Sequence, residues 1–274
     1  MKEEITQEVR EVCVLIPYFN NLEGLIKSIQ SVNYDKDKSF IVIVDDGSRE
    51  RLTSEILETA QVTAIPFQVL TLTRNSGIIT ALNTGLKWIS RNLSVAFIAR
   101  LDCGDICHPN RFHKQINYLH DHPDTALLGS WCIFKTSNTD QQYKYITPTS
   151  HLKIKREMYF RNVFIHPTVI FRTSCLTKMG LYADEYKLVE DYALFWTFLN
   201  SSETAVIPDF LVTCEINPTG ISISQRKNQI LARKRIVREF GTNLALKSLG
   251  IFKLNLLLVI PYSFILKIKY LISS

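Results

Sequence analysis

The chain alternates between short apolar runs and stretches in which apolar residues recur every three or four positions. Residues 12–16 form an apolar run ended by Pro17, the pattern of a buried strand. Leu22, Leu25, Ile26, Ile29 and Val32 then follow at helical spacing. Residues 40–44 predict a second strand running into Asp45-Asp46-Gly47-Ser48, where Gly47 frees a turn and Ser48 is placed to cap a following helix. Residues 67–72 predict a third, followed by Arg74-Asn75-Ser76-Gly77 and a helix through Leu82, Leu86 and Ile89. A fourth opens the stretch VAFIARLDCGD, residues 95–105. Pro109 after it suits the first turn of a helix carrying Phe112, Ile116 and Leu119.

Strand and helix thus alternate four times in about 110 residues, which predicts an α/β fold: a mostly parallel sheet with helices on both faces. Each strand ends in a polar cluster: Tyr18-Phe19-Asn20, Asp45-Asp46-Gly47-Ser48, Arg74-Asn75, and Asp102-x-x-Asp105. Right-handed βαβ connections bring such ends to one edge, where open sheets bind ligands. The second half is less regular. Residues 126–134 and 163–171 predict strands, the latter demoted to an edge or a bend by His166-Pro167. Residues 138–142 predict a polar loop, Glu190-Asp191 precede a helix with Leu194, Phe195 and Phe198, and residues 205–212 predict a strand.

Composition adds little until charge is divided along the chain. The 274 residues carry a net charge of +6, yet ten Lys or Arg and one acid, Glu239, lie from position 226 onward. The first 225 residues therefore stand at −3, a mildly acidic body with a basic tail. Such a tail suits nucleic acid or an anionic membrane, but its charges lack the interleaved aromatics of a single-strand platform, which argues against nucleic acid. Six cysteines form no CxxC pair and predict reduced thiols rather than a zinc site. The opening MKEEITQEVREV has no apolar core of a signal peptide, so the expected setting is cytoplasmic.

The candidate chemistry gathers at the predicted edge. Two carboxylates three residues apart, Asp102 and Asp105, just past a buried strand, can share a divalent ion, and an ion there suits a diphosphate. A solvated turn is the plainer reading of that pair alone. No G-x-G-x-x-G follows the first strand, which argues against a dinucleotide-dependent oxidoreductase or a methyltransferase. The sequence Pro17-Tyr18-Phe19-Asn20-Asn21 stands where a sugar nucleotidyltransferase carries a glycine- and lysine-rich loop.

Taken in order, Pro17-x-Phe19-Asn20, Val44-Asp45-Asp46-Gly47-Ser48, Arg74-Asn75-x-Gly77, Ala81-x-Asn83-x-Gly85, Arg100-Leu101-Asp102-x-x-Asp105 with Pro109-x-Arg111, His166-Pro167-Thr168 and Glu190-Asp191-Tyr192-x-Leu194 resemble a family 2 glycosyltransferase. The likeness runs from about Val12 to Val212. It implies a GT-A fold over residues 1–220, with a nucleotide-binding half of about 10–125 and an acceptor half of about 126–220. It also implies inverting transfer of one sugar from a nucleotide diphosphate donor, a UDP- or dTDP-sugar. By motif matching, Pro17, Tyr18, Phe19, Arg74, Asn75, Gly77 and Arg100 lie around the nucleotide, and Asp45 or Asp46 contacts its base. Asp102 sits at the ribose and the metal, Mn²⁺ or Mg²⁺, and Asp191, beside Glu190, is the general base. Asp191 as a helix cap is the alternative. The sequence departs from the usual Asp-x-Asp at Gly104. Either Asp105 takes over the metal, with Asp102 on the ribose or bridging, or metal binding is weak, and the change leaves open an inactive relative that only binds. His166 is read as an acceptor-side or a structural residue. The processive signature Gln-x-x-Arg-Trp is absent, which favours single-sugar addition.

Residues 221–274 predict a basic amphipathic helical tail. In a helix over 224–240, Ile230, Ile236, Val237 and Phe240 share one arc, with Lys227, Lys234, Arg235 and Arg238 on another. Thirteen uncharged residues separate Lys253 from Lys267, with Pro261 among them, against the ~20 that a spanning helix needs. The expectation is a helix lying on an anionic membrane surface, peripheral on the cytoplasmic face of the inner membrane. A tail packed back on the body or pairing two subunits is the alternative. Together with the resemblance, the tail implies a lipid-linked glycan acceptor in surface polysaccharide or lipopolysaccharide O-antigen synthesis.

Overall fold

The computed structural model describes residues 8–137, 141–216, 224–261 and 264–265. Strand β1 (Glu8–Tyr18) is followed by α1 (Leu22–Gln30), β2 (Ser39–Asp45), α2 (Ser54–Thr59), β3 (Phe67–Thr71), α3 (Ile78–Asn92) and β4 (Leu93–Arg100). The four strands are parallel in the order β3-β2-β1-β4. Cys13, Leu15, Val42 and Val44 face α3 on one side, while Val12, Val14, Ile41 and Ile43 face α1 and α2 on the other. Continuous apolar runs are what strands buried on both faces require.

The chain continues through β5 (Ile106–Cys107), α4 (Arg111–Asp121), β6 (Thr125–Thr136), β7 (Gln142–Tyr145), α5 (His151–Glu157), a 3₁₀ turn at His166–Thr168, β8 (Ile170–Arg172), α6 (Leu176–Met179), α7 (Glu190–Ser201) and β9 (Glu203–Ile216). The sheet extends as β4-β8-β6-β9-β5, with β7 hydrogen-bonded to β6. Strand β8 runs antiparallel to β4 and β6, and β9 parallel to β6. A parallel half is thereby joined to a mixed half through three residues.

Two local expectations are corrected. The strand predicted over 163–171 is limited to Ile170–Arg172, and it is not an edge, since it lies between β4 and β6. Pro167 sits in the 3₁₀ turn before it, so its missing N–H costs the ladder nothing. Ser48 caps no helix, because α2 opens only at Ser54. Its N–H instead donates to Asp45 Oδ1 (2.9 Å), and its hydroxyl accepts from the Asn20 N–H (2.9 Å), tying the ends of β1 and β2 together. Residues 138–140 of the expected polar loop lie outside the described residues. All six cysteines are free thiols.

The tail forms α8 (Arg226–Phe240) and α9 (Leu244–Val259). Ile230, Ile236 and Val237 of α8 and Leu254 of α9 join the core that includes α7. The Tyr159 hydroxyl accepts from the N–H groups of Thr242 and Asn243, both at 2.9 Å, where the two helices meet. A Cβ at Gly250 would collide with the Tyr159 carbonyl, so α9 can lie this close only with glycine there. The tail thus packs on the body by one face. The outer face of α9 leaves Leu244, Leu249, Phe252, Leu256 and Val259 exposed. No helix of the described residues is long and apolar enough to cross a membrane, and residues 266–274, with Lys267, lie outside them.

Candidate active site

The carboxyl ends of β1 to β4 form one edge, as the right-handed connections require. At β2, Asp45 is fully buried; its Oδ1 accepts from Ser48 N–H and its Oδ2 from Leu52 N–H (3.0 Å). It closes the turn after β2. Asp46 accepts from the N–H groups of Ser76 (2.7 Å) and Gly77 (2.9 Å), fixing the start of α3 against β2. Gly47, at φ +70°, lies so close to Arg74 that a Cβ would overlap its backbone. Arg74 and Asn75 are thereby held exposed on the rim, as is Phe19 beyond the buried Tyr18 and half-buried Pro17.

At β4 a buried cation organises the edge. Arg100 has no exposed surface; it pairs Nη2 with Asp102 Oδ1 (2.6 Å), donates Nη1 to the Leu15 carbonyl, and donates Nε to His166 Nε2 (3.2 Å). The same His166 nitrogen accepts from the Tyr182 hydroxyl (2.7 Å). Burial and the Arg100 charge hold His166 well below the usual imidazole range, so it is a neutral acceptor. It orients the arginine that holds Asp102. Asn83 brackets Tyr182 in turn, donating to its carbonyl (2.8 Å) and accepting from its N–H (3.0 Å). Arg111 donates to the Arg100 carbonyl (2.8 Å) and closes the strand end.

Asp102 keeps 37% of its side chain exposed. Asp105 does not stand beside it as a second open ligand. It is buried, accepts from the Glu215 N–H of β9 (2.8 Å), and is raised well above the carboxylate range by burial and by the Asp102 charge. The space a side chain at Gly104 would need is taken by Glu215, whose Oε2 lies 2.9 Å from the Cβ position. Among the described residues no three His, Cys, Asp or Glu side chains are arranged to hold a metal.

Opposite stands the first turn of α7. Asp191 accepts from Asn162 Nδ2 (3.0 Å) and from the Tyr192 N–H (2.7 Å), and burial raises its carboxyl while Arg233 opposes the rise. Glu190 is raised to about 7, first by burial and then by the Asp191 charge, and its Oε2 has no hydrogen-bond partner. Leu188, at φ +76°, turns the chain into this helix, a strained conformation of the kind found at functional sites. The charge of Asp102 disfavours ionisation of both Glu190 and Asp191, so acids 88 and 89 residues apart in sequence lie near one another in the fold. Asn162, Tyr182 and Arg233 carried no signal in the sequence beyond, for Arg233, membership of a basic helix. A cavity of about 640 Å³, lined by His122, His151 and Glu203 among others, lies at the amino ends of β6 and β9, away from these acids.

The profile of Glycosyl transferase family 2 matches residues 13–183. The chain belongs to that family. It is similar to the amylovoran biosynthesis glycosyltransferase AmsE of Erwinia amylovora, 29% identical over 246 residues that cover 88% of each chain. It is also similar to the UDP-Gal:α-D-GlcNAc-diphosphoundecaprenol β-1,3-galactosyltransferase of Escherichia coli, 30% identical over 158 residues, 57% of this chain and 54% of that one. Among solved structures, the mannosyltransferase PcManGT of Pyrobaculum calidifontis, in complex with GDP-Man and Mn²⁺, superposes with a TM-score of 0.65 at 15% identity, covering 89% of this chain and 68% of that one. The fold is GT-A, and this family 2 chain is a glycosyltransferase with homologues in polysaccharide and O-antigen biosynthesis.

Proposed function

We propose that this glycosyltransferase moves one sugar, with inversion, from a nucleotide diphosphate donor to a hydroxyl of a lipid-linked glycan during surface polysaccharide or O-antigen assembly. The observation that carries the reading is the convergence of Asp102 with the Glu190–Asp191 turn across the strand-end edge. The UDP-sugar in the name of the Escherichia coli relative and the GDP-Man of PcManGT support the donor class. The diphosphoundecaprenol in that relative's name supports the acceptor.

An alcohol is a poor nucleophile at neutral pH, so the acceptor hydroxyl must lose its proton as it attacks the anomeric carbon. Asp191 takes that proton at Oδ1 or Oδ2. Burial makes it a stronger base than an exposed carboxylate, and Asn162 fixes its plane. The nucleoside diphosphate leaves on the opposite side of the sugar, at the Asp102 edge, and this geometry inverts the centre. Mg²⁺-type ions are commonly held by one or two carboxylates plus substrate phosphates. Asp102 fits that pattern: Arg100 pairs with its Oδ1, and part of the side chain stays exposed. Asp105, buried and bonded to β9, does not fit. A divalent ion bound there would neutralise charge on the leaving diphosphate.

Release of nucleoside diphosphate from a panel of UDP-, dTDP- and GDP-sugars, with an undecaprenyl-type acceptor, tests the reading. Turnover with one donor, giving product of inverted anomeric configuration and lost in Asp102→Ala and Asp191→Ala, is expected. A product of retained configuration, or full activity in Asp191→Ala, would overturn it. Full turnover in EDTA would remove the metal alone.

A further inference from the structure

Three cations from three elements meet beside the proposed base. Arg161, just after α5, pairs Nε with Glu157 Oε1 (2.7 Å), donates Nη2 to the Ile146 carbonyl (3.1 Å), and lies over the Tyr145 ring at 5.0 Å. Arg233, on α8, lies over the ring of Tyr192 at 5.6 Å and makes no hydrogen bond or ion pair to a described residue. Lys253, on α9, holds its ammonium 5.8 Å from the Phe160 ring, and no carboxylate of the described residues is within ion-pair distance. Of the acids near the group, Glu157 is bonded to Arg161, and Asp191 feels the Arg233 charge. Partial burial holds the Lys253 amine below its ordinary range, and both arginines act in the same direction. Three cations on aromatic faces against two nearby acids form a seat for an anion.

We propose that Arg233 and Lys253 bind the diphosphate of the lipid-linked acceptor, with Arg161 at its side. The assignment rests on the acceptor reading above. The order of groups along the surface matches such a molecule. Tyr192, under Arg233, is the residue after Asp191, so a sugar joined to a diphosphate at Arg233 presents its hydroxyl toward the base. On the other side, Lys253 borders Leu249, Phe252 and Leu256, the exposed apolar face of α9, which suits the prenyl chain and the bilayer that carries it. The donor's diphosphate belongs at Asp102, across the crevice, so the seat at Arg233 is a second and separate one.

The test titrates the full chain calorimetrically with farnesyl diphosphate, farnesol and inorganic pyrophosphate, and by co-sedimentation with phosphatidylglycerol vesicles. Farnesyl diphosphate is expected to bind more tightly than farnesol. Arg233→Gln and Lys253→Gln should each weaken it about tenfold or more, with Arg233→Lys recovering part of the loss. Arg238→Gln removes an exposed charge of the same helix outside the group and should leave this binding unchanged. Circular dichroism melts of all variants identify any that fail to fold. Wild-type affinity in both Arg233→Gln and Lys253→Gln, or an equal loss in Arg238→Gln, would overturn the site whatever the acceptor is. Loss of vesicle binding in Arg233→Gln with farnesyl diphosphate binding intact would make the ligand a phospholipid headgroup and also overturn it. Binding as expected, in an enzyme that glycosylates neutral alkyl glycosides as readily as diphosphate-linked ones, would overturn the acceptor role and leave the anion seat standing.

Discussion

Glu190→Gln probes the energetic state of the turn that carries the proposed base. Glu190 is partly buried, its Oε2 has no partner, and the charges of Asp191 and Asp102 act on it. Its carboxyl stands at about 7 against an ordinary value of 4.5. Between those two pH values the folded chain keeps a proton that the unfolded chain has released. Stability therefore falls as pH rises through this window, and the loss is complete above about 7. At about 1.4 kcal/mol per pH unit the ceiling is about 3 kcal/mol, shared with Asp191 because the two acids ionise together. Glutamine cannot ionise, yet it keeps a carbonyl oxygen to accept from the Leu188 and Glu190 N–H groups that now point at the carboxylate. The variant should melt about 4–8 °C above wild type at pH 8 and show no such gain at pH 4.5, as read by circular dichroism. The same variant should turn over more slowly, since the charge it removes is part of the acidic turn facing the acceptor. An equal gain at both pH values, or a loss at pH 8, would refute the argument.

Asp191→Asn should lower kcat by about 10²–10⁴ while leaving the donor affinity of the Asp102 edge in place, measured by initial rates and by nucleotide-sugar titration. In the wild type, kcat/KM should fall as pH drops through the raised pKa of the Glu190–Asp191 pair, because the base must be unprotonated. His166→Gln should act in the opposite direction to Glu190→Gln. His166 is neutral when folded and charges readily when unfolded, so wild-type stability declines as pH falls below about 6.5; glutamine, which keeps an acceptor for Arg100 and Tyr182, should flatten that decline in melts between pH 7 and 5. Gly47→Ala combines a left-handed φ with overlap on the Arg74 backbone and should cost about 3 kcal/mol or more in urea unfolding; a change under about 1 kcal/mol would mean the two loops are not clamped as seen.

Much of this molecule was legible from residue order because the governing physics is local. The central residues of strands β1, β2 and β4 are covered on both faces, so each strand announces itself as an apolar run. The helices between them need one greasy arc, visible at i, i+3 and i+4. Turn chemistry at Gly47 and Gly77 and the acids beyond the strands marked one edge as the site. What remained hidden was which acids stay open. Asp45 and Asp105 are closed off by N–H groups of Leu52 and Glu215, the latter 110 residues away on β9, and no spacing rule reveals such a partner. Only the packed sheet brings Asn162 and Tyr182 to Asp191 and His166. Only the docking of α8 on α7 carries Arg233 from a basic stripe to the side of the base. Hydrophobic pattern determines which faces are buried, whereas the pairing of charges across the crevice depends on distances that exist only once the chain has closed on itself.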